Sequence, residues 1–169
     1  MDHQLIISKL EANVPVFLSM LSDIPAEEHN WRPAPEKWNL LEIVSHLRDE
    51  ERDDFRARLR STLEDPNKEF APIDPVGWVK ERNYADNDHQ QTVYEFLAER
   101  RSSVKWLKKL EAPKWNNAFQ HKKFGAMSAE MFLSEWYSHD LLHIRQIVNT
   151  RYHYHRQKSG EQLTYAGNW

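Results

Sequence analysis

Residues 128–150, SAEMFLSEWYSHDLLHIRQIVNT, decide how this chain is read. Phe132, Trp136, His139, His143, Ile147 and Thr150 follow one another at intervals of four, three, four, four and three, the spacing of one helical face. A second stripe of Leu133, Tyr137, Leu141, Ile144 and Val148 runs beside the first. The sequence therefore predicts a helix that is apolar over much of its circumference and is the most enclosed in the molecule. Ser128 has the side chain to cap it.

Three more helices follow from the same periodicity. Leu10, Val14, Phe17, Leu18 and Leu21 mark one over residues 3–22, which Pro15 is expected to kink or split. Leu40, Ile43, Leu47, Phe55 and Leu59 mark a second over 40–61. It is entered from a loop with Pro25, Pro33 and Pro35 through a capping box of Asn39 and Glu42. Asp88 and Gln91 offer another cap, and Val93, Phe96, Leu97, Val104, Leu107 and Leu110 mark a helix over 89–110 that Pro113 ends. Residues 62–88 carry Pro66, Pro72 and Pro75 without a sustained period and read as a long crossover anchored by Trp78 and Tyr84.

Only four glycines are present, too few for an all-β chain, and a loop is expected around Gly125. The predicted fold is all-α: a four-helix bundle with a long crossover between its second and third helices. Residues 1–150 form the domain, and the polar stretch 151–169 is a tail that packs on it or extends it. His153 and His155 lie two apart in that tail, a spacing suited to an exposed loop or strand rather than a helical clamp.

Charge and composition narrow the function. The 23 basic and 26 acidic side chains give a net charge of −3 with no block of one sign, which does not support electrostatic capture of nucleic acid. The longest apolar run, Val14 to Leu18, falls far short of the roughly 20 residues that cross a bilayer. The opening MDHQLIISKL has an early acid and no basic region, so the expected location is cytoplasmic. With no cysteine in the chain, a metal would be held by His, Asp or Glu, and nine histidines are available.

Within the deciding stretch, HDLLH sets His139 and His143 four apart, where both imidazoles can address one ion from the same helical face. Spacing alone equally suits two core histidines bonded to buried carbonyls or carboxylates. The address favours the ion, because two adjacent unpaired imidazoles on a buried seam would each leave a nitrogen desolvated, at about 1–3 kcal/mol per group. His46, at the edge of the second helix's buried stripe, is the candidate third ligand. Three histidines with no fourth protein ligand make an open site.

Glu50, one turn after His46, and Gln146, one turn after His143, are the candidate catalytic residues, placed to orient a ligand imidazole or a bound water. Each also fits a plain role, Glu50 as a surface acid and Gln146 as packing. A carboxylate-bridged di-iron site is excluded, since no histidine has Glu three positions earlier. A zinc-peptidase reading is weakened because Asp140 stands in the slot where Glu would act as base.

The segments PAPEKWNLLEIVSHLRDEE, RNYAD, FLAERRSSVKWLKKL, KWNNAFQHKKFGAMS and HDLLHIRQI together resemble the DinB-like superfamily of four-helix proteins. That group includes YfiT-like and bacillithiol transferase-like thiol-dependent S-transferases and mycothiol-dependent isomerases. The resemblance spans nearly the whole chain to about Val148. It implies that His46, His139 and His143 form the family's metal triad, holding a divalent metal, Ni or Zn ahead of Fe or Mn. It also implies transfer of a low-molecular-weight thiol to or from a small electrophile, and the absence of cysteine means the nucleophile comes from outside. His121, in W-x5-H-x3-G, matches a recurrent family feature as a pocket residue. The expected partners are small molecules, with no nucleic acid and no membrane, and a homodimer is one assembly open to the chain. Two alternatives accompany thiol transfer: a metal-dependent hydrolase with Asp140 or Glu50 as base, and a non-catalytic bundle that binds a ligand or partner.

Overall fold

The computed structural model describes every residue except Ala166 and Asn168. Helix α1 (His3–Leu21) starts where Asp2 accepts a hydrogen bond from the Leu5 amide, and it continues through Pro15 as one element. A short helix α2 (Ala26–His29) leads to α3 (Leu40–Glu50), which opens with the predicted capping box: Asn39 accepts from the Glu42 amide and Glu42 accepts from that of Asn39. A π-helical turn (Glu51–Phe55) joins α3 without a break to α4 (Arg56–Glu64), so the predicted second helix is a composite.

The π turn explains the hydrophobic pattern of that composite rod. From Ile43 to Leu59, sixteen residues at about 100° each would swing the buried stripe by about 160° on a regular α-helix. A π turn takes up about one extra residue, which returns roughly 100° of that drift. Phe55 and Leu59 are thereby buried alongside Leu47 and Ile43. The eight-residue gap between Leu47 and Phe55 was the only trace of this in the sequence.

The crossover contains α5 (Trp78–Glu81) and a 3-10 turn (Tyr84–Asp86), and both expected anchors are buried. The Tyr84 hydroxyl donates to Asp49 at 3.0 Å, and Arg82 donates to Asp49 and Asp53 at 2.6 and 2.9 Å while lying over the Trp78 ring. Helix α6 (His89–Lys108) is capped by Asp88. The loop expected around Gly125 is instead a hairpin of β1 (Ala118–His121) and β2 (Gly125–Ser128), with Phe119 opposite Met127 and Gly125 at a positive φ of 74°. Four glycines rule out a β-fold but not one tight turn, which needs only one.

Helix α7 (Ala129–Ser159), capped by Ser128 and ended by Gly160 in the left-handed region, runs nine residues past Thr150. His153 and His155 are therefore on a helix rather than in a loop. The second stripe of α7 is also less enclosed than predicted: Leu133 is fully buried, but Leu141 and Val148 are 49% and 38% exposed. Helices α1 and α3–α4 each pack against both α6 and α7, so the first and second rods sit diagonally across the bundle rather than side by side. That arrangement accounts for the long connections before α3 and α6.

Two apolar layers fill the interior. One contains Phe17, Leu21, Ile43, Leu47, Phe96 and Ile147, and the other Leu10, Phe55, Leu59, Val104, Phe132 and Trp136. Each rod supplies one polar residue between them: Asn13, Glu51, Arg100 and Asp140. No helix among the described residues is long and apolar enough to cross a membrane.

Candidate metal centre

The polar layer fixes the rods that carry the candidate ligands. Arg100 is almost wholly buried, and its Nη1 and Nη2 donate to Asp140 at 2.5 and 2.6 Å while Nε reaches both Glu51 oxygens at 3.0 Å. Trp136 Nε1 donates to Glu51 at 2.9 Å and Asn13 Nδ2 to Asp140 at 2.8 Å. Burial works against the guanidinium charge, but the two carboxylates outweigh it and raise the Arg100 pKa. This settles the role of Asp140. Although it lies inside HDLLH, it turns into the core and is consumed by Arg100 and Asn13, so it is not available as a base on the histidine side.

One residue away on each rod, the side chains point elsewhere. His46 on α3 and His139 and His143 on α7 converge, with ligand-capable atoms all within 4.8 Å of one another. His139 Nε2 lies 3.3 Å from His46 Nε2 and 3.0 Å from His143 Nε2. Glu50 Oε2 is 2.9 Å from His139 Nε2 and 3.7 Å from His46 Nε2. His46, His143 and Glu50 are buried and His139 is partly open. Trp38 covers His46 at 4.8 Å between ring centres, and Phe55 lies 4.9 Å from His139.

This donor set fits a cation. Nitrogens about 2.0–2.1 Å from one ion, at angles between octahedral and tetrahedral, stand roughly 2.8–3.4 Å apart, and the contacts to His139 at 3.3 and 3.0 Å fall within that range. Without a cation, three imidazoles pointing Nε2 at one another cannot all be satisfied, because each close pair shares at most one proton. Burial and the neighbouring imidazoles push His46 down to about 2 and His143 down to about 3, so both are neutral near pH 7, the form that ligates. The far nitrogens of His46 and His143, both Nδ1, are buried without a hydrogen bond among the described residues. Gln146 is half-buried beside His143, where its side chain favours that ring's protonated form against burial.

Two features of the site escaped the sequence. The π turn begins directly after Glu50 and shifts the phase of the rod beyond it. Asp54, one turn beyond Glu50, is also drawn toward the centre: burial pushes its carboxyl up to about 6, opposed by Arg58 and reinforced by Glu50. His121, expected in a pocket, sits at the end of β1, where its Nδ1 accepts from the amides of Lys123 and Phe124, both at 3.1 Å.

A family model described as the DinB superfamily matches residues 9–147. Among solved structures, YfiT from Bacillus subtilis, described as a probable metal-dependent hydrolase with an unusual four-helix bundle topology, superposes with a TM-score of 0.77 at 17% identity. The match covers 94% of this chain and 87% of that one. A search of curated proteins returns no match.

Proposed function

The chain belongs to the DinB superfamily, and from that premise we propose that His46, His139 and His143 hold a divalent metal at the active centre of an enzyme acting on small molecules. The observation that supports this reading is the approach of His46 Nε2 and His143 Nε2 to His139 Nε2, which a shared cation would satisfy together. A divalent ion with open positions supplies the charge that lowers the pKa of a thiol or water joining it. The protein supplies the rest. Glu50 is our candidate to take the nucleophile's proton, a role supported by Oε2 lying 2.9 Å from His139 Nε2. Trp38 and Phe55 keep the imidazoles in a dry setting, and the Arg100 layer holds α3 and α7 at the separation that lets the histidines meet.

The nucleophile we favour is an external low-molecular-weight thiol attacking a small electrophile, in line with the family resemblance and with a chain that has no cysteine. A hydrolytic reading, with water in the thiol's place, is supported by the description given to YfiT and by Glu50 as base. The test is turnover of a panel of small electrophiles by metal-loaded protein with and without added thiol. Thiol transfer predicts loss of turnover when thiol is withheld, and hydrolysis predicts that it persists. Metal analysis of untagged protein tests the premise beneath both: less than stoichiometric uptake, or full uptake by His139→Ala, removes the centre.

A further inference from the structure

On the same face of the second rod as Glu50 and Asp54, a further turn along, Arg58 enters a recess of about 150 Å³ lined also by Phe70, Phe119, His121 and Lys122, with Glu69 as its one acidic lining residue. We propose that this recess binds a small flat carboxylate. One aromatic wall is set: Phe70 and Phe119 stack on each other at 3.9 Å between ring centres. The cationic head is set too: Arg58 Nε meets Asp54 at 2.5 Å, and its guanidinium lies 5.0 Å from the Phe70 ring centre. Among the described residues its two terminal nitrogens find no acceptor. A guanidinium presents that pair as a planar fork matched to a carboxylate.

His121 adds a donor whose tautomer the fold dictates. Because Nδ1 accepts from two backbone amides, the proton of the neutral ring resides on Nε2. Lys122 is exposed at the rim with no ion pair among the described residues. Arg58, paired through Nε with Asp54, together with Lys122 and an oriented imidazole donor thus borders a recess with one aromatic wall, an arrangement suited to an anion carried on an unsaturated or aromatic body that lies against that wall.

Arg58 lies eight residues from Glu50, about 12 Å along the rod. A substrate whose carboxylate rests in the recess would extend its reactive end toward the histidine centre. This last step rests on the metal-dependent reading above, whereas the recess itself does not.

The test is an NMR titration of isotope-labelled full-length protein, metal-free and metal-loaded, with benzoate and with benzamide as probes. Benzoate should shift the amides of Lys123 and Phe124 and the His121 ring in both forms, and benzamide should bind at least about tenfold more weakly. Arg58→Met should weaken benzoate about tenfold, and the exposed substitution Lys122→Gln about threefold. Equal binding of benzoate and benzamide, unchanged affinity in both variants, or shifts confined to His46, His139 and His143 would overturn the proposal. Inorganic phosphate displacing benzoate at equal concentration would overturn the aromatic selectivity. Benzoate binding in a protein that takes up no metal leaves the recess standing and sinks the metal centre; metal uptake without benzoate binding does the reverse.

Discussion

Two polar clusters share the middle of this bundle, separated by one residue on each of two rods, and they solve opposite problems. On the core side, Glu51 and Asp140 close around Arg100, and the donors of the guanidinium meet carboxylate oxygens. On the other side, Glu50 lies against His139, one of three imidazoles whose nitrogens face one another. The first cluster is complete as folded. The second leaves nitrogens facing one another, and a cation is the group that would complete it. A protein can thus hold an unsatisfied cluster in register by setting a satisfied one directly behind it.

The comparison can be broken most forcefully at Arg100. Arg100→Met leaves two buried carboxylates without a partner and should cost about 3–5 kcal/mol of unfolding free energy in denaturant titrations. Replacing Glu51, Arg100 and Asp140 together by apolar residues of similar size should recover most of that loss, since the desolvation of the charges is removed with them. If the single and triple variants are equally unstable, the layer is not a self-contained ion cluster.

On the histidine side the dependence should run through the ion. Wild-type protein should gain about 2.7 kcal/mol, read as a rise in Tm, when metal is supplied at a hundred times its Kd, and His143→Ala should gain nothing. Glu50→Gln should keep stoichiometric metal yet lose about a hundredfold in kcat. A Glu50→Gln protein that loses its metal instead would make Glu50 a ligand rather than a base.

Acid separates the clusters further. In the metal-free protein His46 and His143 titrate far below the roughly 6.5 of an unfolded histidine, so the unfolded chain binds more protons as pH falls beneath that value. Their contribution is fully present above about pH 6.5 and is lost on acidification toward about pH 3, at up to about 1.4 kcal/mol per pH unit for each ring. Denaturation between pH 7 and 5 should show this slope, and His143→Ala should flatten it. The smallest effect is expected at Gln146, where Ala should change stability by less than about 1 kcal/mol and leave metal content intact.

How much of this was legible depended on the range of the interaction. Asn39 with Glu42, Asp88 and Ser128 were readable as caps because a cap is settled within four residues. His139 and His143 were readable as a pair because one turn of helix joins them. That Asp140 drops out as one of the two alternative bases was not legible, because nothing near it in sequence announces Arg100, forty residues earlier. The exposed faces of Leu141 and Val148 were misjudged for a related reason: an apolar stripe says what could be buried, while the diagonal placement of the rods leaves that side of α7 open.

The chain's own sequence determined four amphipathic rods, where they start, and which three imidazoles face inward, because periodicity and capping are local properties of the backbone. Tertiary structure alone decided that Glu50 serves the centre while its neighbour Glu51 serves the core. Adjacent side chains on a helix diverge by about 100°, and which direction is interior is set by the rods packed against it and by a π turn that shifts the phase.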